Sequence, residues 1–267
     1  MKSRLLTYFE FARVAFLKTL AYRLRYFTGI LTYAVNVSVY YFIWRAIYSA
    51  SPRVAGYDLA QMTTYVAVGW TIRSFYFNNI DREMAAEVIE GRIAINLIKP
   101  VDAQLMYVFQ TAGESCFRFL MFTLPIALLL LVVYPVRPPA TATAGAAFAL
   151  SSIFALLIFA LINFLVGTMA LQIQSIMGVI RAKYFIVEFL SGLLLPLGFF
   201  PEKVRRVLLF LPFPHLSYTP LEIYLGRLRG VALVGNLALQ VAWIAVLFAA
   251  GRLYWRLATR RLSIQGG

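Results

Sequence analysis

Four of the charged residues inside apolar runs of the sequence are candidate functional positions, and two of them are spaced to form an ion pair. Glu114 and Arg118 are four positions apart, so a helix would place both side chains on one face. Pairing would explain why the run tolerates them, because a charge at the centre of a bilayer costs about 2.5 to 3.5 kcal/mol on the insertion scale. A polar position on a transport path is the other interpretation.

Arg73 and Glu188 are the other two candidate intramembrane residues. Arg73 has no acidic neighbour within one helical turn. An arginine in such a run either faces a polar cavity, for example at a subunit interface, or meets an acid from another segment. Glu188 is the acid that could meet it across a helix bundle, and the sequence leaves both interpretations open.

Common catalytic and metal-binding signatures are missing from the chain. It has one cysteine, Cys116, and one histidine, His215, so neither an intrachain disulfide nor a Cys/His metal cluster is expected. The sequence contains no G-x-x-x-x-G-K-[ST], G-x-S-x-G or H-E-x-x-H motif. We predict no catalytic residue, metal or cofactor in this chain. Cys116 is interpreted as a small packing residue, and His215 as a loop or interfacial residue rather than a proton relay.

The composition is that of a membrane protein. Of 267 residues, 61% are hydrophobic and 13% are charged, whereas soluble domains carry about 25% charged residues. A single soluble core of this size could not hide so much apolar surface, but a bilayer accepts it. The net charge of +14 comes mainly from bases beside apolar runs, which predicts contacts with membrane lipids and no nucleic-acid partner.

The apolar runs predict one all-α membrane domain over residues 1–267 with about six spans. The positions of the proline-rich and polar breaks define their ends. The predicted spans are 27–47, 59–77, 105–133, 144–173, 185–197 and 231–251, with a short basic loop that contains Arg181 and Lys183 before the fifth.

Two further segments are predicted to lie at the membrane surfaces. Within 1–25, apolar residues recur at helical spacing among basic ones, as in Leu5, Phe9 and Phe16, which predicts an interfacial amphipathic helix rather than a cleavable signal peptide. Residues 198–230 are apolar but broken by prolines, which predicts short re-entrant helices in the outer leaflet. The residues assigned to this irregular region are Gly192, Pro196, Pro201, Pro212, Pro214 and Pro220.

The basic residues also predict the orientation. With the N-terminus inside, the inner segments hold 15 Lys and Arg and the outer segments hold 7. Because basic residues are retained on the cytoplasmic side, we expect both termini in the cytoplasm.

The segment 78–104 is the largest charged stretch between spans. Its acidic first part ends at Gly91, a good C-cap residue, and a short amphipathic helix then stops before Pro100. A compact knob of this kind could couple the membrane domain to a partner, with Ile95 and Leu97 in the partner's cleft. An ordinary amphipathic connector is the alternative. The residues assigned to coupling are Glu90, Gly91, Arg92, Ile95, Leu97, Lys99 and Pro100.

Several motifs together resemble the ABC-2 type transporter permeases. Gly91–Pro100 is similar to their cytoplasmic "G-x-hydrophobic…L-x-+-P" segment, and residues 191–201 resemble their "SG…LP…FP" stretch. The sequence Leu-Pro-Phe-Pro at 211–214 and the double-glycine tail at 266–267 continue the resemblance. It covers essentially the whole chain, and the order and spacing of the motifs are more specific than any one motif.

The resemblance implies a permease subunit of an ABC exporter in a bacterial inner membrane. Such subunits form dimers of six-span chains. In the branch that this chain resembles, the permease is often paired with a second, non-identical permease, so a homodimer and a heterodimer are both open. A separate ABC ATPase binds ATP and Mg, docks on the segment after the second span, and drives alternating access. The alternatives are an ion-gradient-driven secondary transporter, which would usually show repeats and midplane acids, and a membrane enzyme or a non-transporting assembly scaffold.

Overall fold

The computed structural model describes residues 2–21, 24–173 and 175–260, without the side chains of residues 2–4 and 24–27. Within these ranges about 80% of the residues are helical and none lies in a strand. A π-helical turn, Phe119–Thr123, and two 3₁₀ turns, Leu197–Phe199 and Phe213–Leu216, lie between α-helices. The α-helices are α1 (Lys2–Ala21), α2 (Leu24–Tyr48), α3 (Leu59–Tyr76), α4 (Ile80–Ile89), α5 (Ile93–Ile98), α6 (Ala103–Arg118), α7 (Leu124–Val133), α8 (Ala142–Met169), α9 (Met177–Leu190), α10 (Glu202–Phe210), α11 (Tyr218–Tyr224) and α12 (Gly230–Arg260).

Four helical segments of the described chain are long and apolar enough to cross a membrane. They are Thr28–Tyr48, Ala103–Val133, Ala142–Met169 and Gly230–Arg260. The chain is therefore an all-α membrane protein. The helix α3 has 18 residues, long enough for a bilayer core, but it carries Gln61, Arg73 and several hydroxyl residues and is less apolar than these four segments. The helix α9 has only 14 residues, so the count of six spans stays a prediction.

The third predicted span is helical throughout but not uniformly α-helical. The π-helical turn separates α6 from α7, and Pro125 follows it in the first turn of α7. Proline has no backbone N–H, so it cannot complete the α-helical ladder, and π turns are a common response to such a break. At this turn the Ser74 hydroxyl donates a hydrogen bond of 2.8 Å to Thr123, which fixes α3 against the span.

The helix α8 lies at the centre of the bundle. It packs against α12, α4, α11, α3 and α6, and its side chains Phe159 and Phe164 are completely buried. Phe159 contacts Tyr76 at the end of α3, and Phe164 contacts Tyr107 of α6. An apolar helix that is buried on several sides is expected to form the core of such a bundle.

The helix α1 runs parallel to α6. The backbone N–H of Asp102 donates to the Tyr8 hydroxyl at 2.9 Å, and the Phe16 ring lies 5.7 Å from that of Phe117. Between these contacts the helices touch at Gly113, where a Cβ atom would lie 1.9 Å from the carbonyl oxygen of Ala12. Glycine is therefore required there. The interfacial position predicted for residues 1–25 stays a prediction, and residues 22 and 23 lie outside the described ranges.

Two predictions about individual segments are wrong. Arg181 and Lys183 do not lie in a loop, because α8 already ends at Met169 and both residues are inside α9. The run before Phe185 is apolar enough, at Met177, Val179 and Ile180, to extend the helix towards the N-terminus. Cys116 is exposed on α6, so it is not a packing residue within the chain. The tail motif at 261–267 lies outside the described residues.

Candidate functional site

The segment after α3 forms a sharp helical elbow. The helix α4 is capped at Glu90, Gly91 adopts a left-handed φ of 72°, and α5 then leads to Lys99 and Pro100. Glycine reaches this conformation at no steric cost, as is usual just after a helix C-terminus. We call residues 80–100 the elbow.

The outer surface of the elbow is apolar. Ile95, Leu97 and Ile98 are 57%, 39% and 81% exposed, and Ile89 beside them is 71% exposed. At its rim Arg92 forms an exposed ion pair with Glu90. Clustered exposed apolar side chains with charges around them are typical of a protein interaction site.

Hydrogen bonds fix the elbow to the start of the third span. The carboxylate of Glu87 in α4 accepts from the Tyr107 hydroxyl and, at 2.8 Å, from Asn96 in α5. Lys99 donates to the Asn96 side chain at 2.7 Å. One carboxylate therefore joins both arms of the elbow to α6, and the elbow is held as a rigid unit.

A buried ion pair joins the elbow to α9. Lys183 Nζ lies 2.6 Å from Asp81 Oδ2 and also donates to Asn163 of α8. Asn163 in turn donates to Asn78 at 2.9 Å. The Asp81 side chain is 0% and the Lys183 side chain 7% exposed. We call Asp81 and Lys183 the inner ion pair. It is almost completely buried, and with Asn163 it connects three helices.

Sequence reasoning missed the inner ion pair. From the sequence, Lys183 is expected in a loop, and no role is predicted for Asp81. The available signal was Asn163, a lone amide in the apolar sequence of α8. A polar group there needs a buried partner, but the sequence does not say which.

The structure brings Arg73 and Glu188 together. Arg73 forms an ion pair with Glu188 of α9 and donates to the Tyr33 hydroxyl of α2 at 2.8 Å. Of the two interpretations of Arg73, the structure therefore shows the contact with an acid. It links α3 to the same helix that carries Lys183.

Glu114 and Arg118 also form the pair expected from their spacing. Arg118 Nη2 lies 2.6 Å from Glu114, and Nη1 donates to the carbonyl oxygen of Phe77 at 2.8 Å. The Arg118 guanidinium thus caps the C-terminal end of α3. The Phe77 ring lies between the two arginines, 4.8 Å from Arg73 and 5.7 Å from Arg118.

The proline-rich region forms short helices packed on α3 and α8. Gly192 has a φ of 77°, and its carbonyl oxygen accepts a 2.6 Å hydrogen bond from Tyr65 of α3. Pro196 and Pro201 precede a 3₁₀ turn and α10, and Pro220 lies in the first turn of α11. Pro212 and Pro214 form the turn that leads to His215. The prediction that this region re-enters the outer leaflet stays a prediction.

A second buried carboxylate lies in this region. Glu222 of α11 accepts from the Tyr57 hydroxyl at 2.7 Å and from Arg227 at 3.1 Å, and Arg227 also donates to the carbonyl oxygen of Gly56. Burial raises the pKa of Glu222, and the hydrogen bonds from Tyr57 and Arg227 oppose that shift. We call Glu222 and Arg227 the outer ion pair.

His215 is buried rather than interfacial. Its Nδ1 lies 2.9 Å from the Thr219 hydroxyl. Burial lowers the pKa of His215 to about 4, so the ring is neutral at neutral pH. Its carbonyl oxygen accepts from Gln240 of α12 at 2.9 Å. In the described part of the chain, no three His, Cys, Asp or Glu residues are grouped to hold a metal ion.

These features define a multi-helix membrane protein with a hydrogen-bonded elbow of exposed apolar side chains. The family described as ABC-2 family transporter protein matches residues 34–266. The chain therefore belongs to the ABC-2 transporter family, and it is a permease component of an ABC transporter. No curated protein matches the chain.

Proposed function

We propose that the chain is the membrane-spanning subunit of an ABC exporter and that the elbow receives the motion of a separate ATPase. ATP and Mg bind that partner. The exposed apolar tip of the elbow, formed by Ile95, Leu97 and Ile98, is the observation that supports this proposal most directly. It offers a few anchors in a small area, and such central anchors supply most of the energy of a protein interface.

The contacts of the elbow provide a mechanical connection to the spans. Glu87 fixes the elbow to α6, and the inner ion pair fixes it to α9. Through Arg73 and Glu188, α9 is joined to α3. A displacement of the tip would therefore move three membrane helices together. Alternating access then follows when this subunit and a second permease subunit, identical or not, shift relative to each other.

The proposed orientation places the elbow in the cytoplasm. The excess of basic residues on that side supports it, as does the need of an ATPase for cytosolic ATP. Both termini then lie inside a bacterial inner membrane, and residues 198–230 lie at the outer leaflet. The short helices of that region fit this place, because irregular backbone at membrane depth must be packed against protein.

A secondary transporter is less compatible with the observed contacts. A carboxylate that carries protons or ions across the membrane must exchange its partner during the cycle. Glu114 and Glu188 are both already paired with arginines. The scaffold alternative does not explain the exposed tip better than a docking site for a motor does.

Site-specific photo-crosslinking in native membranes tests the proposal. A crosslinker at Ile95 should capture an ATP-hydrolysing subunit. The same group at Val207 of α10, 64% exposed, is the matched control and should not capture it. Failure at Ile95, or access of an impermeant thiol reagent to an Ile95→Cys protein from outside the cell, would contradict the proposal.

A further inference from the structure

A polar cleft lies beside the elbow, between α1, α4 and α6. Its volume is about 440 Å³. No contact of the elbow tip or of the inner ion pair involves it. The charged residues that line it are Lys18, Arg82, Glu83, Glu87, Glu114 and Arg118.

Three of these six charges are already engaged within the chain. Glu114 and Arg118 pair with each other, and Glu87 accepts two hydrogen bonds. In the described ranges no opposite charge lies within 4 Å of Lys18, Arg82 or Glu83, although the Arg82 guanidinium lies 5.0 Å from the centre of the Tyr184 ring. Two cations and one anion therefore line the cleft without a direct ion pair. Burial raises the pKa of Glu83, and the more distant charge of Lys18 opposes that shift.

The cleft lies at the depth of lipid headgroups. Arg118, on its wall, bonds the carbonyl oxygen of Phe77 just after α3 ends at Tyr76. The 18 residues of α3 span about 27 Å, close to the thickness of about 30 Å of a hydrocarbon core. The end of α3 and the cleft beside it therefore fall at one boundary of the bilayer, which is the inner one in the orientation proposed above.

An apolar surface continues from the cleft. Val14 lines the cleft and is 60% exposed, and Leu17 of the same helix is 49% exposed. Val14 lies at the cleft, and Leu17 lies about one turn further along α1 and does not line the cleft. A lipid whose headgroup occupied the cleft would have this surface for its acyl chains.

We propose that this cleft binds the headgroup of a phospholipid that carries both a phosphate and a primary ammonium group. Lys18 and Arg82 contact the phosphate, because cationic side chains bind phosphate by charge-assisted hydrogen bonds. Glu83 accepts from the ammonium group. A quaternary ammonium headgroup has no N–H to donate to Glu83, and an anionic headgroup without an amine leaves this carboxylate unpaired.

Lipid retention tests the proposal without any ATPase, so failure of the proposed coupling would not affect the result. The full chain is placed in three kinds of nanodisc: phosphatidylcholine alone, an equimolar mixture with phosphatidylethanolamine, and an equimolar mixture with phosphatidylglycerol. Lipids that stay bound after gentle extraction are counted by native mass spectrometry. We expect phosphatidylethanolamine to be retained about tenfold over phosphatidylcholine, the effect of one charge-assisted hydrogen bond.

Variants separate the two halves of the headgroup. Glu83→Gln should abolish the preference for phosphatidylethanolamine over phosphatidylcholine. Lys18→Gln and Arg82→Gln should each lower retention of phosphatidylethanolamine and phosphatidylglycerol about tenfold. Arg13→Gln on α1 and Glu90→Gln at the elbow are matched controls, because both residues are exposed outside the cleft, and they should retain lipid like the unchanged protein.

Three results would overturn the site. The first is equal retention of the three lipids, and the second is an unchanged preference in Glu83→Gln. The third is full displacement by soluble glycerophosphoethanolamine at the concentration of its lipid, which would show a site for free phosphodiesters instead of membrane lipid. Because all the substituted side chains are exposed, unchanged helix content by circular dichroism is the check that each variant is folded.

Discussion

The inner and outer ion pairs are both built around a buried carboxylate, but only one of them is isolated from water. In the inner pair, the Asp81 and Lys183 side chains are 0% and 7% exposed. In the outer pair, Glu222 is 6% exposed but Arg227 is 32% exposed. Water can replace Glu222 as a partner of Arg227. It cannot do so for Lys183, whose charge has to be satisfied within the protein.

The two ion pairs, which differ in their exposure to water, also connect different parts of the molecule. The inner ion pair joins the elbow to α9, whereas the outer pair joins α11 to the loops around Gly56 and Gly226. A pair that cannot exchange with water holds its helices in one arrangement. On the proposed function, the inner end of the bundle then moves as one body, while the outer end is free to rearrange.

The largest effect is expected from the inner ion pair. Asp81→Asn removes the charge but keeps the size of the side chain, and it leaves Lys183 buried without a counter-ion. Breaking such a pair costs about 3 to 5 kcal/mol. The measurement is the free energy of unfolding in detergent, with Asp58→Asn as the control. Asp58 is a half-buried partner of Arg137 and caps α3, and asparagine also caps helices, so this control should change little.

A double variant separates lost charge balance from lost contact. Asp81→Asn with Lys183→Met removes both charges, so most of the loss should be recovered, because an apolar replacement of a buried pair is often neutral. If Asp81→Asn alone destabilises no more than Asp58→Asn, the inner pair is not isolated from water and the comparison fails.

His215 should make the outer end sensitive to acid. Its pKa is lowered by burial to about 4, below the value of about 6.5 for a free histidine. Between these two values the unfolded chain binds more protons than the folded chain, so the free energy of unfolding falls as the pH is lowered through this window. Above the window His215 causes no loss of stability. Between pH 6.5 and pH 5 the loss is about 2 kcal/mol.

The test of this effect is the difference between two pH profiles of stability. His215→Asn does not titrate and keeps a group able to bond Thr219, so its profile should be flatter between pH 6.5 and pH 5. Glu222 acts in the opposite direction, because its raised pKa favours the folded state in acid. It is present in both proteins and cancels. Parallel profiles would show that His215 has the same pKa in the folded and unfolded chains, which would contradict the effect of burial.

The sequence predicted the helices well and the polar contacts unevenly. Glu114 and Arg118 could be paired because one helix fixes their separation. The end of α4 at Gly91 was predictable for the same local reason. Asp81 and Lys183 are 102 positions apart, and only the packing of α4 against α8 and α9 brings them together. Exposure of Cys116 likewise depends on where α1 lies on α6.

Gly91 tests whether the elbow contributes its own rigidity. Gly91→Ala places a side chain at a φ of 72° with no other atom within 4 Å of the new Cβ. Only backbone strain is added, about 1 to 2 kcal/mol. The free energy of unfolding should therefore fall less than in Asp81→Asn. The rate of ATP-dependent transport should fall more than this small loss of stability would explain. Gly178→Ala, equally unobstructed but within helix α9, is the control; equal transport in both variants would contradict a coupling role for the bend.

The smallest effect is expected from the outer ion pair, and it completes the comparison. Glu222→Gln makes the same carboxylate-to-amide change as Asp81→Asn. The amide oxygen still accepts from Tyr57, and Arg227 can turn to water, so the loss should be about 1 kcal/mol. Burial raises the pKa of Glu222, so a neutral group at this position is less costly than it would be for a carboxyl in water. Unfolding in detergent gives both values on one scale. Suppose that Glu222→Gln lowers the free energy of unfolding as much as Asp81→Asn does. The exposure of the basic partner would then not determine how much each ion pair stabilises the fold.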